Sequence, residues 1–304
     1  METKQMKAIK TILAVCLLSM ATAANAQKTY LHITKADGTK YEFASNEIST
    51  LTMDTKAATT ASAKAKLDGK NEVDVMWVQL WADGPKWATI NVGGNNCYDY
   101  GDYFAWGETM GRNSGKTSFS WSTYKWMAEG KSSWDYVTKY TLKDGQTDGQ
   151  GGYPYWYDDE GKYVGTTIDG INYKNLTELQ ATDDAATANW GSNWRTPTPS
   201  ELLYLCSTGI CSWTWYDSNN SEFNGVAGYK VQGKTEGYTD NYIFLPSAGS
   251  YENSTLKPSG NAGYWSSSLS EESESAQEMF FNSVKHGTSD EDRCCGLSVR
   301  PVLK

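Results

Sequence analysis

Apolar and polar positions change period several times along the chain, and each change predicts an element. An apolar run from Ile12 to Met20 follows Lys7 and Lys10 and ends just before Ala24-Asn25-Ala26. A basic start, a short apolar stretch and small residues at a cleavage point predict a secretory signal peptide over residues 1–26. The run falls short of the roughly 20 residues that span a bilayer. Apolar residues then alternate in Tyr30-Leu31-His32-Ile33 and Tyr41-Glu42-Phe43, on either side of Asp37-Gly38. That alternation about an Asp-Gly pair predicts a β-hairpin module over residues 27–53, with Ile48, Leu51 and Met53 as a third short strand. Residues 54–70 are mostly Ala, Thr and Lys, the composition of a linker. Residues 71–304 form the main domain.

Within that domain, residues 86–93 read as a strand ending at glycines, and residues 99–108 crowd aromatics between glycine turns. Residues 110–175 hold no sustained helical period, which predicts loops and short strands. The best helix starts at Thr198-Pro199-Ser200-Glu201. Thr198 caps it, Pro199 suits the first turn, Glu201 closes a capping box, and Leu202, Leu203 and Leu205 follow. Residues 225–246 alternate in strand-like pieces. Farther on, Met279 and Phe281 alternate with Glu278, Phe280 and Asn282, as the two faces of a strand do. Lys285-His286-Gly287 reads as a turn, with residues 289–293 as a second polar segment. The sum is an α+β fold of short, mostly antiparallel strands, one or two helices and long loops.

Composition explains how so polar a chain builds a core. It holds 13 Trp and 20 Tyr, whose large area lets a loop-rich domain bury enough surface. Removing the leader, with Lys4, Lys7 and Lys10 against Glu2, takes the formal net charge from −9 to −11. An acidic surface repels phosphate backbones and anionic lipid, so nucleic acid and membrane surfaces are poor partners. Past the leader, no segment is long and apolar enough to span a membrane. Cysteine is sparse: Cys97, Cys206, Cys211, Cys294 and Cys295 remain after the leader, an odd number without a C-x-x-C pair. Cys206 and Cys211 could pair if the turn between them is tight, whereas the adjacent Cys294 and Cys295 pair only with strain.

Catalytic chemistry has little to stand on. The mature chain has only His32 and His286 and no G-x-S-x-G elbow. Residues 111–117 imitate a phosphate loop but fall one residue short of its spacing. No catalytic residue is assigned, and the protein is read as a non-enzyme. Hard oxygen ligands for calcium are offered by Asp183 and Asp184, by residues 158–160 and by residues 290–292, none at the spacing of a calcium loop. For Asp183-Asp184 the competing role is capping a helix-like stretch over 184–188. No other cofactor is expected.

A series of motifs appears in fixed order. It includes Lys86-Trp87-Ala88-Thr89, Tyr103-Phe104-Ala105-Trp106-Gly107-Glu108, Trp194-Arg195-Thr196-Pro197, Phe244-Leu245-Pro246-Ser247-Ala248-Gly249, Tyr264-Trp265-Ser266-Ser267-Ser268 and Gly296-Leu297-Ser298-Val299-Arg300-Pro301-Val302. Together they resemble the Fibrobacter succinogenes major paralogous domain, common in exported proteins of Bacteroidales. The hairpin before it resembles a short module of other surface proteins of those bacteria. The resemblance implies a C-type-lectin-like fold, related to formylglycine-generating enzymes and to retroelement-diversified receptor proteins. In the latter, C-terminal strands and loops display variable residues on an invariant frame. Here the corresponding window, residues 269–295, is rich in Glu and Ser rather than Asn, so active diversification is not indicated.

Trp87, Trp106, Trp194, Arg195, Trp265 and Arg300 fall inside the motifs and are expected to be structural. A guanidinium among indoles can make several fixed hydrogen bonds and stack on rings. The window is expected to form a strand–loop–strand with Glu271, Glu272, Glu274, Gln277, Glu278, Lys285, His286, Asp290, Asp292 and Arg293 exposed as a ligand-binding surface. Complementarity favours a partner with basic patches. The leading expectation is an exported, non-catalytic binding module for a protein or glycan at the cell surface. The alternatives are a structural or adhesive envelope protein and an enzyme resembling the formylglycine-generating group.

Overall fold

Strand alternation, capping and indole bulk each leave a visible mark on the computed structural model of the protein. It describes residues 30–34, 40–44, 58–67, 71–127, 129–140, 167–168, 171–172, 176–257, 261–272 and 274–304. The expected signal peptide, the expected turn at Asp37-Gly38, the expected third strand over Ile48 to Met53 and the acidic run at 158–160 lie outside the described residues. The chain divides into two units, residues 1–57 and 58–304. In the first, β1 (Tyr30–Thr34) pairs antiparallel with β2 (Lys40–Ala44), with His32 opposite Glu42. Their side chains approach to 3.4 Å, Nδ1 to Oε2, at an exposed site.

The second unit begins inside the stretch expected to be a linker. β3 (Thr60–Ala65) pairs along its whole length with β4 (Val73–Gln79). Ala65 is buried, Ala61 and Ala63 lean on the same core, and Trp194 Nε1 donates to Lys64 O at 2.8 Å. Small side chains fit here because they pack beneath broad indoles. Low hydropathy therefore concealed a strand.

The chain continues through β5 (Lys86–Ala88), the two-residue partners β6 (Thr167–Ile168) and β7 (Ile171–Asn172), α1 (Ala185–Trp190) and β8 (Trp194–Arg195). Then come α2 (Pro199–Cys206), β9 (Cys211–Tyr216), β10 (Gly228–Gly233), β11 (Tyr242–Pro246), β12 (Ser250–Glu252) and β13 (Thr255–Lys257). It ends with β14 (Ala262–Leu269), β15 (Ser275–Phe281), β16 (His286–Asp292) and β17 (Val302–Leu303). The larger sheets run β3-β4-β5-β17-β8, β11-β10-β9 and β14-β15-β16. The strand ladders are antiparallel and mostly short, and with two α-helices among the described residues the fold is α+β. The last strand is inserted between older neighbours, with Val302 opposite both Trp87 and Arg195.

Indoles do double work in the core. Trp106, Trp194 and Trp265 bury their rings and also donate: Trp106 to Ser266 O (2.9 Å) and Trp265 to Phe104 O (2.7 Å). These two bonds strap the glycine-bounded loop around Trp106 onto β14. Trp190 meets Trp194 edge to face at 5.3 Å, a favoured aromatic arrangement. Trp87 instead joins Leu202, Leu205, Val231, Ile243, Leu245, Met279 and Phe281.

Helix α2 forms where its caps required. Thr198 Oγ1 accepts Glu201 N–H at 3.3 Å, and Glu201 Oε2 accepts Thr198 N–H at 2.7 Å. Arg195, half-buried, grips the same carboxylate with both terminal nitrogens, at 2.7 and 2.6 Å. Thr198→Ala removes the side-chain half of this box and is expected to lower stability by about 1 kcal/mol. A urea unfolding curve with unchanged slope and an earlier midpoint is the measurement; an unmoved midpoint contradicts the assignment.

Candidate functional site: the acidic C-terminal sheet

The sheet β14-β15-β16 carries most of the window singled out from sequence. β15 lies in its centre, and its residues alternate as expected, Met279 and Phe281 entering the apolar core with Tyr264. The opposite face is not open. Glu278 is only 7% exposed, which corrects its placement on the ligand-binding surface. A central strand covered on both sides shows the same alternation as a half-wet one. Glu278 lies over Gly263, where an added Cβ would stand 2.4 Å from its Oε2, so the glycine makes room for the carboxylate. No hydrogen-bond donor reaches that carboxylate among the described residues. Burial, then the charges of Glu291 and Asp290, push its pKa well above the usual carboxylate range.

Arg293 is the second correction. It was expected on the surface and is 0% exposed. The chain turns inward directly after β16, and the guanidinium donates to Tyr124 Oη (3.2 Å), Tyr140 O (3.0 Å) and Lys139 O (2.7 Å). It also sits 5.4 Å from the ring centres of both Trp106 and Tyr124. Its role is to pin one loop beneath the sheet.

Glu271, Glu272, Lys285 and Asp290 are exposed, while Glu274, Gln277, His286 and Asp292 are half-buried. They do not form one patch. The β15–β16 register places Ser275 opposite Asp292 at one end and Phe281 opposite His286 at the other, about 20 Å away along the strands. The acidic residues gather at the first end. At the second, His286 stacks on Trp213 with ring centres 4.1 Å apart, and burial lowers its pKa. The turn there is also earlier than expected: Asn282 Oδ1 accepts the N–H groups of Val284 and Lys285, both at 3.0 Å. His286 and Gly287 already belong to β16.

Beside the acidic end lies a cleft of about 390 Å³ that the sequence did not announce. Thr177, Glu178, Thr198, Ser268, Glu271 and Gln277 are among its lining residues. Ser268 Oγ and Ser267 Oγ fix Glu178, donating at 2.5 and 3.1 Å. Glu272 N–H donates to Ser270 Oγ at 2.8 Å and shapes the acidic turn at the rim. The serines follow Trp265 directly in sequence, but no periodicity links them to Glu178.

Asp183 and Asp184, two of the carboxylates offered for calcium, both have protein partners. Asp183 Oδ2 accepts from Lys139 Nζ (2.5 Å) and Tyr140 Oη (2.6 Å). Asp184 Oδ1 caps α1, accepting from the N–H groups of Ala186 (2.8 Å) and Thr187 (3.1 Å), and Thr196 Oγ1 adds 2.9 Å. A cation there would have to displace a buried lysine or the helix cap, and the hydrogen bonds of Asp184 are those of the competing capping role. Comparison with protein-family profiles, curated proteins and solved structures gave no match. No helix among the described residues is long and apolar enough to cross a membrane.

Proposed function

We propose that this protein is an exported, non-catalytic recognition module of C-type-lectin-like architecture, binding a partner that presents basic side chains. One observation carries the reading: Glu271 stands exposed at the rim of a polar cleft, with the exposed Glu272 next to it, on a turn held by Ser270 at the end of the sheet. A carboxylate-rimmed cleft offers acceptors to lysine or arginine, and its hydroxyls suit a polar ligand. Edge strand β16 is Gly-, Ser- and Asp-containing and charged, a composition that discourages pairing between identical chains. That favours a basic partner over the self-assembly expected of a purely structural envelope protein.

The mature chain should bind members of a panel of basic peptides, with affinity falling as salt rises. The double variant Glu271→Lys, Glu272→Lys should weaken that binding at least about tenfold with the fold intact by circular dichroism. Binding indifferent to charge reversal, or confined to neutral glycans, would sink the basic-partner reading.

A further inference from the structure

Directly past β16 the chain brings three potential metal ligands together in a way the recognition reading does not use. We propose that Asp292, Cys294 and Cys295 form a binding site for a thiophilic divalent cation of the zinc class. The Asp292 carboxylate and the two Sγ atoms all lie within 4.8 Å of one another. Tetrahedral zinc with sulfur and oxygen ligands needs ligand–ligand separations of about 3.5–3.8 Å, so the widest pair would close by up to about 1 Å.

The turn carrying them is held from several sides. Cys295 N–H closes it on Asp292 O at 2.9 Å, and Arg293 N–H donates to Glu274 O at 2.9 Å. The next residue, Gly296, exchanges both backbone hydrogen bonds with Tyr251 at 2.8 Å. Both cysteines are buried thiols. These bonds fix the backbone from which the three ligands project.

Unpartnered carboxylate oxygens supply the independent argument. The Asp292 carboxylate accepts no hydrogen bond among the described residues. Glu274 Oε2 is buried without a hydrogen-bond partner, so a further oxygen stands beside the turn in want of a positive charge. A cation at the turn supplies the positive partner that the Asp292 carboxylate lacks. Two sulfurs exclude calcium and magnesium, which require oxygen shells, whereas zinc accepts mixed sulfur and oxygen. Binding is not redox chemistry: each ligating thiol loses its proton to solvent as its sulfur bonds the metal.

The test uses the full mature chain, reduced and checked by mass for free thiols, titrated with Co²⁺ as a spectroscopic substitute. The expected result is a thiolate-to-cobalt charge-transfer band saturating at one equivalent and abolished by Zn²⁺ but not by Mg²⁺. Cys206→Ser and Cys211→Ser should keep the band, while Cys294→Ser and Cys295→Ser lose it. Asp292→Asn, at a half-buried position, should weaken Co²⁺ binding at least about tenfold. Absence of the band in the reduced wild type overturns the proposal, as does its survival in either Cys294→Ser or Cys295→Ser. The wild-type arm decides even where a cysteine variant fails to fold.

Discussion

Arg300→Ala is expected to lower the stability of the second unit by about 3–5 kcal/mol. The guanidinium is 1% exposed and reaches three acceptors on two segments at once: Asn91 Oδ1 at 2.7 Å and Ala88 O at 3.1 Å, at and just past the end of β5, and Phe244 O at 2.9 Å in β11. Asn91 in turn donates to Tyr100 O and to Tyr264 Oη, at 2.9 and 3.3 Å. Truncation leaves three buried acceptors without donors and opens a cavity beside Tyr264. Each orphaned acceptor costs about 1–3 kcal/mol. Relief from burying a charge offsets part of that, which is why the expected loss stays below the sum. The loss is a large share of the 5–15 kcal/mol that a domain has. Arg300→Lys should recover little, because an ammonium cannot span three acceptors set in a guanidinium's plane. Urea unfolding of all three proteins decides the matter. A loss under about 1 kcal/mol for the alanine variant, or full rescue by lysine, refutes the clamp.

What the sequence made legible follows from how local each signal is. The capping box at Thr198 and Glu201, the proline between them and the leucines after them lie within one helical turn, and α2 runs over Pro199–Cys206 as those residues require. Asp184 as a helix cap was legible for the same reason. β15 showed its alternation but not its neighbours, so Glu278 read as exposed when the strand is central. Arg293 read as one more charge in a polar run because nothing local reports that the chain turns inward after Asp292. β3 was illegible because its alternating alanines earn their burial from Trp194, about 130 residues away. The cleft was illegible for a similar reason, being assembled from Glu178, Thr198 and Ser268 across three separate segments. Short-range capping chemistry is written in adjacent residues; burial is decided by partners that arrive from elsewhere.

Glu278→Gln is expected to stabilise the protein near neutral pH, by roughly 1–3 kcal/mol, and to remove part of its pH dependence. In the unfolded chain this carboxyl ionises near its ordinary value, about 4.3. In the folded protein, burial and the neighbouring Glu291 and Asp290 hold it protonated to a much higher pH. Between those two values the folded state binds the extra proton, so stability falls as pH rises, by at most about 1.4 kcal/mol per pH unit. Asp292 adds a slope of the same sign that ends near its folded value of about 6. His286, held below its ordinary value by burial, adds a slope of opposite sign. Both are common to wild type and variant, so the difference between the two proteins isolates Glu278. Chelator in every buffer keeps bound cations from entering the balance. Unfolding free energies measured from pH 4 to 8 should coincide or favour the wild type at the acid end, then diverge in favour of Glu278→Gln above pH 6. Parallel curves across that upper range would mean that the carboxyl ionises as freely in the fold as outside it, and that an unpartnered charge does not sit over Gly263.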